Sequence, residues 1–267
     1  METPSLTRKS VSGVSFLTDG HAEGQVRFGF TERTGGVSKG VFASLNLGDA
    51  CGDMPEHVAE NRARALAALG YEGSPDRLVN PKQVHGDKVL LVDTADEESL
   101  ARIQKEAREG ADAIVCTVPG VPVLLCYADC VPVILATEKG FAVIHSGWRG
   151  TIASIAAKAL VKLLAATEGD ASSAVAYIGP HVAGPDYEVS EELLTRFVDT
   201  FDESVALPGH RLDLARAIVL ALEGAGIGEE SIVDCGISTA RATDRFYSYR
   251  AEGGRCGRHG ALAYLAS

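Results

Sequence analysis

The sequence predicts a single α/β domain with a large mixed or layered sheet. Three observations predict it. The segments "DAIVCT", "VPVLLCYADC", "VPVILAT" and "GFAVIHSG" crowd between residues 112 and 147 and are almost continuously apolar, as strands covered on both faces are. Helical stretches flank that centre on either side. Several strands follow one another with no helix between them, which departs from a simple βαβ repeat. No linker, low-complexity run or short-period repeat interrupts residues 1–267, which read as one domain.

Taken in order, "QVRFGFT" (residues 25–31) alternates as a strand and runs into the turn "ERTGGVSKG". "DMPEHVAENRARALAALG" is a helix, with Asp53 as N-cap, Pro55 in the first turn, Glu56 completing a D-x-x-E box and Gly70 as the stop. "KVLLVD" (residues 88–93) is a strand, and "EESLARIQKEAREG" a charged amphipathic surface helix. The four central strands follow. "TIASIAAKALVKLLAATEG" is then one helix capped by Thr151, "AVAYIG" a strand and "SEELLTRFVDTF" a helix. "LDLARAIVLALEGAG" is a further helix, and "SIVDCG", "FYSYR" and "GALAYLA" are late strands.

The chain is 46% hydrophobic and 23% charged, ordinary for a globular protein with a core. A net charge of −11 argues against non-specific binding to nucleic acid or to an anionic membrane, because neutralising phosphates needs a basic face. The opening "METPSLTRKS" has no apolar h-region, and no apolar run approaches the ~20 residues of a spanning helix. The six cysteines are scattered and read as reduced thiols in core or ligand positions. The expectation is a cytoplasmic protein; oligomeric state is not legible.

Two motifs are lures. "HAE" (residues 21–23) matches half of the zinc nucleoside-deaminase signature, but its P-C-x-x-C partner is missing: Cys126 and Cys130 are spaced C-x-x-x-C. "GVSKG" (residues 36–40) fits G-x-S-x-G, yet "VFASLNLG" follows where a nucleophile elbow needs a helix. No G-x-G-x-x-G or P-loop occurs.

What remains is dispersed. His85 precedes a strand in "NPKQVHGDKV", Cys130 ends "VLLCYADC", and His145 ends "FAVIHSG". Ligand sites in open α/β sheets form outside the strand ends. Two imidazoles and a thiolate make a three-ligand zinc set with a fourth position left for water or substrate, and copper is the next metal such donors suit. Each residue alone has a plainer reading, the cysteine as core and each histidine as a hydrogen-bonded strand end. Spacing does not decide between them. The helix predicted from Thr151 points its free N–H groups back toward His145, with Arg149 alongside, an anion-binding arrangement; a capped helix with Trp148 on the core and Arg149 in solvent is the equal alternative.

"TERTGGVSKGVFASLNLG", "NPKQVHG", "YADCVPV", "HSGWRG", "IGPHVAGPDYEV" and "FYSYRAEGGRCGRHG", in that order and over nearly the whole chain, resemble the YfiH-like family of bacterial proteins. That family is also called polyphenol oxidoreductase (laccase) or purine nucleoside phosphorylase. The resemblance implies a layered α/β/β/α fold shared with a toxin of the cysteine-hydrolase type. It implies a zinc held by His85, Cys130 and His145, which would make the strand-end histidine a metal ligand. One stretch departs: "STARATDRFYSYR" has no cysteine in its lead, so no cysteine role is expected there.

Family members are described as phosphorolysing adenosine, inosine and methylthioadenosine and as deaminating adenosine. Other accounts give copper-dependent phenol oxidation or editing of peptidoglycan precursors. On position and residue type, Arg149, Arg33 and the helix N-terminus are candidates for phosphate, and Gln83 and Asn46 for the nucleoside. Asp129 is a candidate proton-transfer group or orienter of the neighbouring ligand. A cysteine hydrolase, with Cys130 activated by His145, is the main alternative. Copper oxidation is weakest, since a multicopper centre needs many histidines and the seven here include no H-x-H pair. A non-enzymatic zinc-stabilised binding module is the third class.

Overall fold

In the computed structural model, which describes residues 3–20 and 25–266, two sheets stack face to face with helices on their outer sides. The elements are β1 (Leu6–Val11), β2 (Val14–Asp19), β3 (Val26–Thr31), α1 (Pro55–Ala68), β4 (Val89–Val92), α2 (Glu97–Glu109) and β5 (Ala113–Cys116). Then come β6 (Val123–Tyr127), β7 (Val131–Thr137), β8 (Gly140–Ser146), α3 (Trp148–Ile152), α4 (Ile155–Thr167), β9 (Val175–Ile178) and α5 (Glu191–Thr200). The chain ends with β10 (Ala206–Leu207), β11 (Arg211–Leu212), α6 (Leu214–Gly224), β12 (Ile232–Asp234) and β13 (His259–Leu265).

One sheet is antiparallel, in the order β1-β2-β3-β13-β6. The other is mixed, in the order β12-β9-β7-β8-β5-β4, with parallel pairs only at its two edges. This accounts for the continuous apolar runs. In β8, Phe141 and Val143 face the other sheet while Ala142 and Ile144 face the helices α4 and α6. In β6, Leu125 and Tyr127 face inward, and Leu124 packs with Leu66 of α1 outside. Both faces of these strands are buried, so neither shows the polar alternation of a half-exposed strand.

Several expectations change on inspection. The helix predicted from Thr151 is two helices, broken at Ser154, whose φ of +56° no helix continues. The first begins at Trp148, and Thr151 is inside it, its hydroxyl donating to the Gly147 carbonyl at 3.0 Å. Met54, not Asp53, is the N-cap of α1; the Asp53 carboxylate instead accepts from Ser38 at 2.6 Å and Asn46 at 2.9 Å. "FYSYR" is no strand, because Tyr247 donates to the Phe42 carbonyl and the Arg250 N–H to Asp129, neither of them strand partners. The β1–β2 hairpin is an addition. Val11 pairs with Val14 across Ser12 and Gly13, both at positive φ (50° and 85°), as a primed two-residue turn requires. The "HAE" motif lies outside the described residues.

Two buried polar groups anchor the framework. Glu32, with its side chain fully buried, accepts from Arg8 on the first strand and from Arg245 in the last long loop. Burial pushes its carboxyl up, but the two guanidiniums outweigh this and hold it below the usual value. His259 opens β13 at 1% exposure, with Phe246 at 5.4 Å and Tyr127 at 6.3 Å between ring centroids. Neither of its ring nitrogens has a partner of hydrogen-bonding geometry. Burial lowers its pKa to about 3, which the nearby Pro180 backbone only partly offsets.

The sign of the pH effect follows. Below the ordinary pKa of about 6.5 the unfolded chain binds a proton that the native ring refuses until about 3, so stability falls with pH across that window. His259→Phe keeps the ring contacts and removes the titration. Unfolding free energies measured from pH 7 to 4 should therefore fall less steeply in the variant, by up to about 1.4 kcal/mol per pH unit. Parallel curves for the two proteins would show that His259 is charged in the native state.

Candidate metal centre and its cavity

The three candidate ligands come from three segments that end at one side of the sheet pair. Cys130 lies in the short connection by which the chain leaves β6 in one sheet and enters β7 in the other. His145 is on β8, opposite Pro132 of β7. His85 is carried by the loop ahead of β4, and Gln83 pins that loop to β6: its amide donates to the Cys126 carbonyl at 2.7 Å and accepts from the Cys126 N–H at 2.8 Å. The donor atoms of His85, Cys130 and His145 all lie within 4.8 Å of one another. The two imidazole rings meet edge-on, 4.8 Å between centroids.

Gly147 is the floor of this cluster. A Cβ built on it would lie 3.1 Å from His85 Cδ2 and 3.2 Å from Cys130 Sγ. Gly150 is similarly close-packed, with the Gly86 carbonyl 2.9 Å from an added Cβ. These are the contacts that the glycines flanking Trp148 and Arg149 permit.

Behind the ligands lies Asp112, which sequence reasoning missed. It is fully buried and accepts from His145 Nδ1 at 2.8 Å. It also accepts from the backbone N–H groups of Val84, His85 and Gly86 at 3.2, 3.0 and 2.7 Å. Asp112 opens the strand segment "DAIVCT", and nothing in the linear pattern links it to a histidine thirty-three positions on. Burial pushes the Cys130 thiol up, but the charge of His145 and hydrogen bonds from both histidines outweigh it and bring the thiol down to about 6. Burial likewise opposes the charged His145, yet the Cys130 thiolate and the Asp112 hydrogen bond raise it to about 9. Both shifts favour the charged form, the thiol lowered and the imidazole raised, each by its contact with the other.

The cluster opens into a cavity of about 760 Å³. Gln83, His85, Asp129, Cys130 and His145 line it. Three other predicted residues do not. Arg33 is occupied by the Ala43 and Thr243 carbonyls and by Glu252, and it stacks on Tyr247. Asn46 is fully buried, holding Gly48, Asp53 and the Arg258 N–H. Arg149 is exposed and lies over the Trp148 ring at 4.3 Å. The anion seat foreseen at a long helix N-terminus is reduced to the five-residue α3, whose dipole is correspondingly small. The cations that do line the cavity are Lys82, Arg108, Arg250 and Arg258, alongside the rings of Trp148, Tyr187 and Tyr249. Arg250, Arg258 and Tyr187 belong to motifs quoted above, but their residue types alone do not single them out.

A family model described as "Multi-copper polyphenol oxidoreductase laccase" matches residues 27–266. The chain belongs to this family. It is 36% identical over 243 residues to a "Purine nucleoside phosphorylase" of Deinococcus radiodurans, covering 88% of each chain. It is 36% identical over 242 residues to a protein of the same name from Xylella fastidiosa, covering 86% of this chain and 88% of that one. Among solved structures it is similar to YlmD from Geobacillus stearothermophilus, with a TM-score of 0.86, 27% identity, and coverage of 99% of this chain and 100% of that one. It is also similar to the Bacillus licheniformis protein YfiH, with a TM-score of 0.81, 25% identity, and coverage of 97% and 98%. The layered fold is thus that of the YfiH-like family.

Two outcomes follow from the geometry. Gly147 has a φ of −75°, which any residue adopts, so Gly147→Ala acts only through its methyl group. That methyl must displace His85 or Cys130. Metal affinity by chelator competition should fall by roughly tenfold or more, while the melting temperature of the metal-free chain stays within a few degrees. Separately, alkylation of the metal-free chain at pH 7 should modify Cys130 before Cys116 and Cys235, whose thiols burial pushes up to about 12. Peptide mapping of the modified chain checks this, and the Cys130 rate should rise with pH and level off above about 6.

Proposed function

We propose that this chain is a zinc-dependent purine nucleoside phosphorylase acting on adenosine, inosine and methylthioadenosine. Adenosine deamination is a slower side activity, and the cytoplasm, where thiols stay reduced, is the setting. One observation carries the reading: a His-Cys-His donor set lies at the floor of a cavity whose walls combine aromatic rings and guanidiniums. The names borne by the relatives support it.

The residues fit a zinc ion. Two nitrogens and a sulfur converge, Gly147 leaves room beside them, and the Asp112 bond to Nδ1 of His145 leaves the other ring nitrogen for the metal. His85, Cys130 and His145 would hold it, and it would supply Lewis-acid polarisation in the cavity. Copper suits the same donors. A multicopper oxidase centre needs several such clusters, and one is found among the described residues.

The remaining work falls to the walls. Tyr187 and Tyr249 offer faces on which a purine stacks. Arg250 lies over Tyr187 at 5.3 Å and Arg258 over Tyr249 at 5.8 Å, so each cation stands beside a base-binding face. We assign the phosphate to these two arginines rather than to Arg33 and Arg149. Phosphate oxygen then bonds to the anomeric carbon, the bond to the purine breaks, and its electron pair leaves with the base, which takes up the proton that the attacking hydrogen phosphate gives up. Asp129 accepts from Thr239 at 2.7 Å and from the Arg250 N–H at 2.8 Å, one donor on each oxygen. This favours its role as an orienter of the arginine loop over proton transfer. Gln83, both amide atoms bound to Cys126, positions the His85 loop.

A second reading has its own observation. Cys130, His145 and Asp112 are aligned as nucleophile, base and orienting acid, the arrangement of a cysteine hydrolase, which would suit amide editing of peptidoglycan precursors.

Purified protein should contain about one zinc per chain and release hypoxanthine from inosine only with phosphate. A chelator should abolish the activity and Zn²⁺ restore it. Arg258→Ala or Arg250→Ala should raise the phosphate requirement roughly tenfold or more, for loss of a charge-assisted contact of about 1.5–3 kcal/mol. No base release at any phosphate concentration, with a covalent adduct on Cys130 that survives denaturation, would replace the phosphorylase by the hydrolase.

A further inference from the structure

Asp112 binds both histidines of the metal centre through one carboxylate. Oδ1 accepts from His145 Nδ1 and from the His85 N–H; Oδ2 accepts from the N–H groups of Gly86 and Val84. The His85 backbone needs such support, because its φ of +59° is left-handed. In a residue with a Cβ that conformation is sterically disfavoured. The turn has no strand pairing of its own, since β4 begins at Val89. Three successive N–H groups converging on one buried carboxylate are what close it.

We propose that Asp112 is the positioning residue of the centre. It fixes the His145 proton on Nδ1, leaving Nε2 for the ion, and holds residues 84–86 in the conformation that aims His85 at the same point. This rests on the metal reading of the site. Coordination is thereby coupled to a backbone turn: the two histidine donors, sixty positions apart, are aligned or lost together.

The chemistry of four donors on one carboxylate makes the isosteric amide a sharp test. In Asp112→Asn, an amide oxygen turned toward His85 and His145 sets its NH₂ against the N–H groups of Gly86 and Val84. Turned the other way, its NH₂ donates to His145 Nδ1 and drives the ring proton to Nε2, the nitrogen the ion needs. Neither rotamer satisfies the turn and the tautomer at once.

The experiment compares the full-length wild-type chain with D112N, using Zn²⁺ and Co²⁺ as probes. Zinc affinity by chelator competition should fall about 10–100-fold in D112N. The Co²⁺ absorption should lose the intensity of a four-coordinate thiolate site, and amide exchange at residues 84–86 should accelerate well beyond that of β5 and β8. In the wild-type zinc form, ¹⁵N imidazole shifts should place the His145 proton on Nδ1. That measurement needs no variant and decides the matter if D112N does not fold. Wild-type zinc affinity and cobalt spectrum in D112N, or a His145 proton on Nε2, overturn the proposal alone. A wild-type chain that binds neither ion overturns the metal reading and the proposal with it.

Discussion

Phe28, Phe30, Leu125 and Tyr127 of one sheet meet Ile114, Ile134, Val143 and Tyr177 of the other, and every donor in the centre takes its place from that contact. The packing is tied by polar pins at its core. The Tyr127 hydroxyl donates to the Ile144 carbonyl at 2.9 Å, beside His145, and the Tyr177 hydroxyl meets Asp19 at 2.7 Å. Cys130 immediately precedes β7, whose Val131 and Pro132 pair with Ser146 and His145 of β8, so the reach from Cys130 to His145 is set by that strand pairing on the packed sheet. Close packing of this kind resists change even by a methylene. The ligand set is therefore as rigid as the core beneath it, which is what a pre-organised site needs.

The same geometry brings charges together away from water. A buried carboxylate and a buried imidazole meet a half-buried thiol, where an isolated charge would be disfavoured. Each is stabilised by the next. Asp112 is met by three N–H groups and His145, His145 by Cys130, and Cys130 by both histidines. Such a chain polarises its members, so the donors a metal would need and the thiolate a hydrolase would need are one arrangement rather than two. That is why the phosphorylase and hydrolase readings invoke the same atoms.

The legible part of this structure is the part written in local pattern. The central strands announce themselves through two-sided burial, and α2, α5 and α6 fall within the stretches predicted as helices, their N-cap side chains in the structure being Asp96, Ser190 and Asp213. His85, Cys130 and His145 are readable as candidate strand-edge donors, family resemblance groups them, and the fold brings their donor atoms within 4.8 Å of one another. What escaped depends on distance. Asp112 acts only because the β5–β8 pairing brings it beside His145. Arg33 and Asn46 carry the residue types of a binding site, but they are absorbed into the knot that Ser38, Asp53 and Asn61 tie around residues 33–48. The break at Ser154 was invisible because the residues around it suit a helix on both sides.

β13 carries a consequence for how the protein is made. The last strand among the described residues is not an edge but the fourth of five in its sheet, held between β3 and β6. A ribosome releases β3 and β6 long before it releases His259–Leu265. Until then their facing edges have no partner, and the inner faces of Phe30 and Tyr127 have no sheet to complete. Long-range pairing of this sort is slow and leaves strand edges open to other chains. The sheet thus stays unfinished until β13 has emerged, and Arg258, just ahead of it, joins the wall of the cavity no earlier.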